Sequence, residues 1–273
     1  MKVYCFGEKE KPVIFLFPGT CCHWKGNFGK VIEPLEKHFQ VACVSYDGFD
    51  ETEQTEFPTM TEETEKIEQY IKKEFGGHIC AAYGCSLGGS FVGLLAARQN
   101  IHMDYGILGG SDLDQSGKIS AKLMTKLMAP IFYPFLKKGE MKIPFMKKKM
   151  EKMMAEDDGY IKAFMDMIKT PDADMSHITK KSVENQFYSD LITPLPDQID
   201  PAGTQMHILY ALKMGEKYRV RYTKHFARPI LHELDLQHEE LLAVYPDEWV
   251  KVIAEICGRK TGDSADRFKV EKN

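Results

Sequence analysis

The first third of the chain alternates short, continuous apolar runs with segments of helical period. Residues 13–17 end at Pro18-Gly19, 41–46 at Asp47-Gly48, 79–83 at Gly84, and 105–108 at Gly109-Gly110-Ser111-Asp112. Runs of this length without polar alternation suit strands buried on both faces of a parallel sheet. Between the second and third runs, Ile67, Tyr70 and Ile71 recur at helical spacing, behind the capping-box pattern Thr59-x-x-Glu62. Strand, turn and helix in this order predict βα units.

From about residue 117 to 202 the strand signals vanish. Prolines at 130, 134, 144, 171, 194 and 196 predict a set of short helices, so 117–202 reads as an inserted helical cap. Alternation then resumes, with strands expected at 206–209 and 229–234 and helices at 215–226 and 246–256. The fold class predicted is α/β: a three-layer core built from 1–116 and 203–273, with a mostly parallel sheet and a helical cap. The polar tail after Cys257 is expected to fray.

The 273 residues suit one large domain or a core with an insertion. Hydrophobic content of 43% with 28% charged residues excludes a disordered or collagen-like chain. A formal charge of -4 offers no basic field for nucleic acid. Seven cysteines cannot all pair, and the opening Met1-Lys2-Val3-Tyr4-Cys5 has no signal-peptide pattern, so a reduced, cytoplasmic protein is expected. No apolar run approaches the roughly 20 residues of a transmembrane helix.

The most informative residues are Gly84-Cys85-Ser86-Leu87-Gly88, a G-x-S-x-G between an apolar run and a helical pattern. A serine on so tight a strand-to-helix turn is strained and lifts its hydroxyl clear of the sheet, while the glycines remove colliding side chains. A Gly-rich nucleotide loop is the bland alternative, but the Walker lysine and G-x-G-x-x-G are both absent. Cys85 is the better intrinsic nucleophile. The elbow exposes the central residue, however, so its neighbour is expected to turn inward as a small apolar filler.

With this elbow and strand order the chain resembles the α/β-hydrolase superfamily along its whole core. In that family the nucleophile follows the fifth strand, a cap often follows the sixth, an acid usually follows the seventh and a histidine follows the eighth. The resemblance implies Ser86 as nucleophile and His238, in Asp235-Leu236-Gln237-His238-Glu239, as general base. A hydroxyl needs a base titrating near neutrality, which among common side chains is imidazole. His38, His78 and His102 fall at helix ends or turns, His207 and His232 inside strands, and His23 is a lesser candidate beside the loop expected to face Ser86. A zinc reading of His232-Glu233 with His238 fails because Leu236 stands where the second histidine of H-E-x-x-H belongs.

The oxyanion donors implied are the backbone N–H of Leu87 and, where many relatives carry His-Gly instead of Pro18-Gly19, that of Thr20. The usual acid is missing: the stretch after the seventh strand reads Ala211-Leu212-Lys213-Met214. Asp112 after the sixth strand is preferred because a strand end is a rigid mount; Asp114 and Glu216 are the alternatives.

The function expected is a serine hydrolase that cleaves an ester, thioester or related acyl bond of a small molecule with an apolar part, using no cofactor and no metal. A non-catalytic sensor on the same fold, or an acyltransferase using the same nucleophile, are the rival readings. Ten of fifteen methionines lie in 124–175, and 118–152 holds ten lysines against two acidic residues. Such a cap could attract an anionic or membrane-borne substrate, although ordinary amphipathic cover is the simpler account. Phe132, Tyr133, Phe135 and Phe145 are expected to pack on the core or line the pocket.

Overall fold

The computed structural model describes residues 1–139 and 159–258, together with Lys148 and Lys152. Seven strands, β1 Lys2–Phe6, β2 Val13–Phe17, β3 Gln40–Ser45, β4 His78–Gly84, β5 His102–Leu108, β6 Gln205–Ala211 and β7 Ile230–Leu234, form one sheet in the order β1-β3-β2-β4-β5-β6-β7. All neighbours are parallel except β1, which runs antiparallel to β3. With the nucleophile turn after β4, the sheet has one strand fewer ahead of it than the eight-strand layout, and the insertion follows β5.

Helices cover both faces. On one lie α1 Trp24–Leu35 and α9 Pro246–Gly258, with the short α8 Glu240–Val244. On the other lie α2 Met60–Phe75, α3 Leu87–Arg98 and α7 Glu216–His225. In β2, Ile14 and Leu16 enter the first layer of core while Phe15 and Phe17 enter the second, all fully buried. This two-sided burial is why the run carries no polar alternation. The expected N-terminus of α2 is capped by Thr59, whose Oγ1 accepts the Glu62 N–H at 3.2 Å.

Two elements depart from the pattern. The edge strand β1, with the short apolar run Val3 to Phe6, is not among the predicted strands; Cys5 is exposed and its other residues are half-buried, and it is held by pairing to β3 along Lys2–Ser45 to Phe6–Val41. Between β5 and β6 the described residues form α4 Lys118–Lys138, α5 Tyr160–Ile168 and α6 Lys180–Ile192. Prolines 130 and 134 do not end a helix, contrary to the expectation of short pieces: α4 runs 21 residues through both. Each proline deletes one intrahelical bond, an isolated cost of about 3 kcal/mol. Ala121, Thr125, Ala129 and Leu136 are its buried positions, and α4 packs along α6. Phe132 packs against Phe187 of α6 with ring centroids 5.2 Å apart. Pro144, Phe145, three of the ten lysines of 118–152 (Lys142, Lys147 and Lys149) and the tail beyond Gly258 lie outside the described residues.

Glu63 of α2 is fully buried, and its Oε1 accepts the Asp47 N–H at 2.8 Å. Burial, then the nearby Asp47 carboxylate, pushes its carboxyl up to about 7. The folded protein therefore holds this proton more tightly than the unfolded chain. The resulting stability is complete below the unfolded value and is lost as pH rises through about 7. Urea unfolding should show a fall of at most about 3 kcal/mol across that window. Glu63→Gln should flatten it, and an unchanged slope would exclude Glu63 as its source.

Candidate active site

β4 ends at Gly84 and α3 begins at Leu87, leaving two residues to reverse the chain. Ser86 takes φ 49° and ψ -115°, a conformation that L side chains rarely adopt. The glycines make the turn possible by their emptiness. A Cβ at residue 84 would stand 2.2 Å from the Gly88 carbonyl carbon, and one at residue 88 would stand 2.1 Å from the Phe17 oxygen. Ser86 is partly exposed, whereas Cys85 is buried and its thiol is pushed well above the ordinary range by burial and then by the Glu239 carboxylate.

The loop after β7 reaches this turn directly. Glu239, with φ 55°, turns its carboxyl group under the elbow, where Oε1 accepts the N–H of Ser86 at 2.8 Å and of Gly110 at 2.6 Å. Its Oε2 accepts the Tyr83 hydroxyl at 2.9 Å. The preceding residue, His238, is thereby held beside the elbow and against the end of β5: a Cβ at Gly110 would lie 2.6 Å from His238 Nδ1. The insertion closes over the imidazole. Phe164 of α5 meets it edge to face at 5.6 Å, and the Tyr160 hydroxyl donates to the His238 carbonyl at 2.9 Å.

The three candidate acids have different surroundings. Asp112 lies two residues beyond Gly110; burial and then Asp114 push its carboxyl above the usual range, while the charges of His238 and Arg221 pull it down. Arg221 of α7 fixes this loop by donating to the Asp112 carbonyl at 2.8 Å and pairing with Asp114 at 2.5 Å. Asp114 is thus engaged by an arginine. Glu216 is 72% exposed at the start of α7 and pairs with Arg219, one helical turn on.

The loop after β2 faces the elbow from the other side, where a Cβ at Gly19 would stand 3.5 Å from Ser86 Cβ. Asn27 of α1 shapes it by accepting the Gly19 N–H at 2.8 Å and donating to the Met167 carbonyl at 3.0 Å. The Cys21 N–H is taken by Gln186 of α6 at 2.5 Å. Among the described residues, the amides of Thr20 and Leu87 have no protein acceptor.

The other histidines are occupied elsewhere. His23 caps α1 by accepting the Lys25 N–H and meets Glu51 at 2.6 Å; burial lowers its basicity, with Glu51 acting in the opposite sense. His232 is buried in β7 and lies 2.8 Å from His207 of β6, so the structure joins it to that partner and not to His238. Glu239, Asn27 and Gln186 escaped the sequence reading. Their common signal is a polar residue at a buried position, visible only once neighbouring strands and helices are in place.

No protein-family model matches the sequence, and no curated protein is similar to it at the sequence level. Solved structures do match. A protein of the alpha/beta hydrolase family from Desulfitobacterium hafniense superposes with a TM-score of 0.75 at 19% identity, covering 93% of this chain and 99% of that one. The chain has the α/β-hydrolase fold. An enol-lactonase from Burkholderia xenovorans LB400 gives 0.63 at 16% identity, covering 94% and 96%. A marine microorganism esterase gives 0.66 at 14% identity, covering 93% and 98%. At these identities the α/β-hydrolase likeness speaks for architecture, and function rests on the site.

Proposed function

We propose that this chain is a serine hydrolase acting on an ester, thioester or related acyl bond of a small molecule with an apolar part. Ser86 Oγ attacks the carbonyl carbon while His238 takes its proton, and the amides of Thr20 and Leu87 receive the charge that develops on the carbonyl oxygen. His238 returns the proton to the departing group. Water then attacks the acyl-enzyme by the same route and frees Ser86. Asp112 is assigned to orient the imidazole, because His238 Nδ1 lies on the Gly110 side, toward the loop that carries it. The α5 segment over His238 is read as a cap whose Phe164 and Tyr160 border the acyl site.

The observation that carries this reading is the Glu239 link, which brings the loop of His238 to the backbone of a strained, partly exposed serine. The names of two structural neighbours, an enol-lactonase and an esterase, support ester chemistry. Seven unpaired cysteines support a reducing, cytoplasmic setting. No helix among the described residues is long and apolar enough to cross a membrane.

A fluorophosphonate probe should label the protein, with the adduct located on Ser86 by peptide mass spectrometry and absent from Ser86→Ala. Hydrolysis of p-nitrophenyl esters of increasing acyl length should follow the same pattern. Equal labelling of the variant would overturn the assignment.

A further inference from the structure

The opposite end of the strand that carries the elbow holds a second group of convergent side chains. His78 opens β4, His102 opens β5, and the two are direct partners in the parallel register. Asp104 follows two residues along β5, on the face that His102 uses. Both imidazoles turn to a single carboxylate oxygen, with His78 Nε2 at 3.0 Å and His102 Nε2 at 3.2 Å from Asp104 Oδ1. The three donor atoms lie within 4.8 Å of one another, and the ring centroids are 5.1 Å apart.

These spacings are those of a ligand set. Zinc–nitrogen bonds of about 2.0–2.1 Å in a tetrahedral site place neighbouring donors about 3.3 Å apart. The histidine-to-aspartate separations are already close to that edge length, so an ion could enter by small side-chain rotations. The side chains of His78, His102 and Asp104 are 57%, 44% and 41% exposed, which leaves a hydrated ion free access and a fourth position for water.

We propose that His78, His102 and Asp104 form a binding site for a divalent transition-metal ion, which ties together the starts of β4 and β5. Two imidazoles and one carboxylate select zinc, nickel or copper(II) over magnesium and calcium, whose preferred donors are oxygens. Each Nε2 binds through its lone pair, with the ring proton carried on Nδ1. The intervening strand separates this site from Ser86 by about 20 Å, so the ion takes no part in the acyl chemistry.

Cys80 follows His78 on β4, and the Asp104 carboxylate acts on both its thiol and that of Cys257. The test must therefore separate imidazole from thiol binding. Zinc chloride added to the intact chain should give saturable one-site binding by calorimetry and raise Tm by a few degrees, because only the folded chain presents the set. Magnesium chloride should do neither. His78→Ala, at an exposed position, and Asp104→Asn, at a half-buried one, should each weaken zinc binding about tenfold or more and abolish the rise in Tm. A Cys80→Ser, Cys257→Ser double variant should retain both. Absence of saturable binding, or binding that survives the histidine and aspartate changes but is lost with the cysteines, would overturn the proposal.

Discussion

Ser86→Ala is expected to lower kcat/KM toward any ester the wild type hydrolyses by about 10⁴-fold or more. His238→Ala should cost a similar factor, and the double variant little beyond either single one. That non-additivity is the signature of a nucleophile and a base acting as one unit, since a serine without its base and a base without its serine are equally idle. Residual activity over water would come from the amides of Thr20 and Leu87. Among the carboxyls, Asp112→Asn should lose about 10²- to 10⁴-fold, chiefly in kcat, because on the proposed assignment Asp112 orients the imidazole. Asp114→Asn and Glu216→Gln should stay within a fewfold of wild type, being held by Arg221 and Arg219. Steady-state kinetics on one purified ester decides the matter, and full activity in Asp112→Asn would transfer the role to another carboxyl.

Glu239→Ala should destabilise the fold by about 4 kcal/mol, since it strands two buried donors and one part-buried donor at once and a buried unpaired group costs about 1–3 kcal/mol. Those donors, the Ser86 and Gly110 amides and the Tyr83 hydroxyl, come from the two central strands and the turn between β4 and α3. Activity should fall further than the folded fraction does, because the elbow and the loop of His238 would then lose their shared tether. Glu239→Gln retains one oxygen for the two amides and should recover most of both quantities. Urea unfolding and kcat measured on the folded fraction separate the effects. A Glu239→Ala protein of unchanged stability would show that the link carries no load.

The central strands were legible because two-sided burial leaves an unbroken apolar run, as in Ile14 to Phe17. Gly84 to Gly88 was legible because a turn that brings Cβ positions within about 2 Å of backbone permits only glycine there. Other features are not settled locally. β1 has a four-residue apolar run, Val3 to Phe6, but its place at the sheet edge is set by a partner some forty residues away. The long α4 runs through two prolines that locally signal a break, and it packs along α6, a helix some sixty residues on. Glu239 follows a histidine in an ordinary polar stretch, and only the meeting of β4, β5 and β7 converts it into an acceptor for three donors. Arg221 likewise reaches the Asp112 loop from a helix on the far side of the insertion.

The placement of His238 and Glu239 as consecutive residues has a mechanical consequence. The residue proposed as proton acceptor and the residue that ties the loop to the Ser86 amide are adjacent in the chain, so a displacement of this segment moves the imidazole and pulls on the serine backbone. On the proposed assignment, the segment that carries the base is therefore anchored to the backbone of the nucleophile itself. Tyr160 adds a second hold on the same segment from the insertion, through the His238 carbonyl.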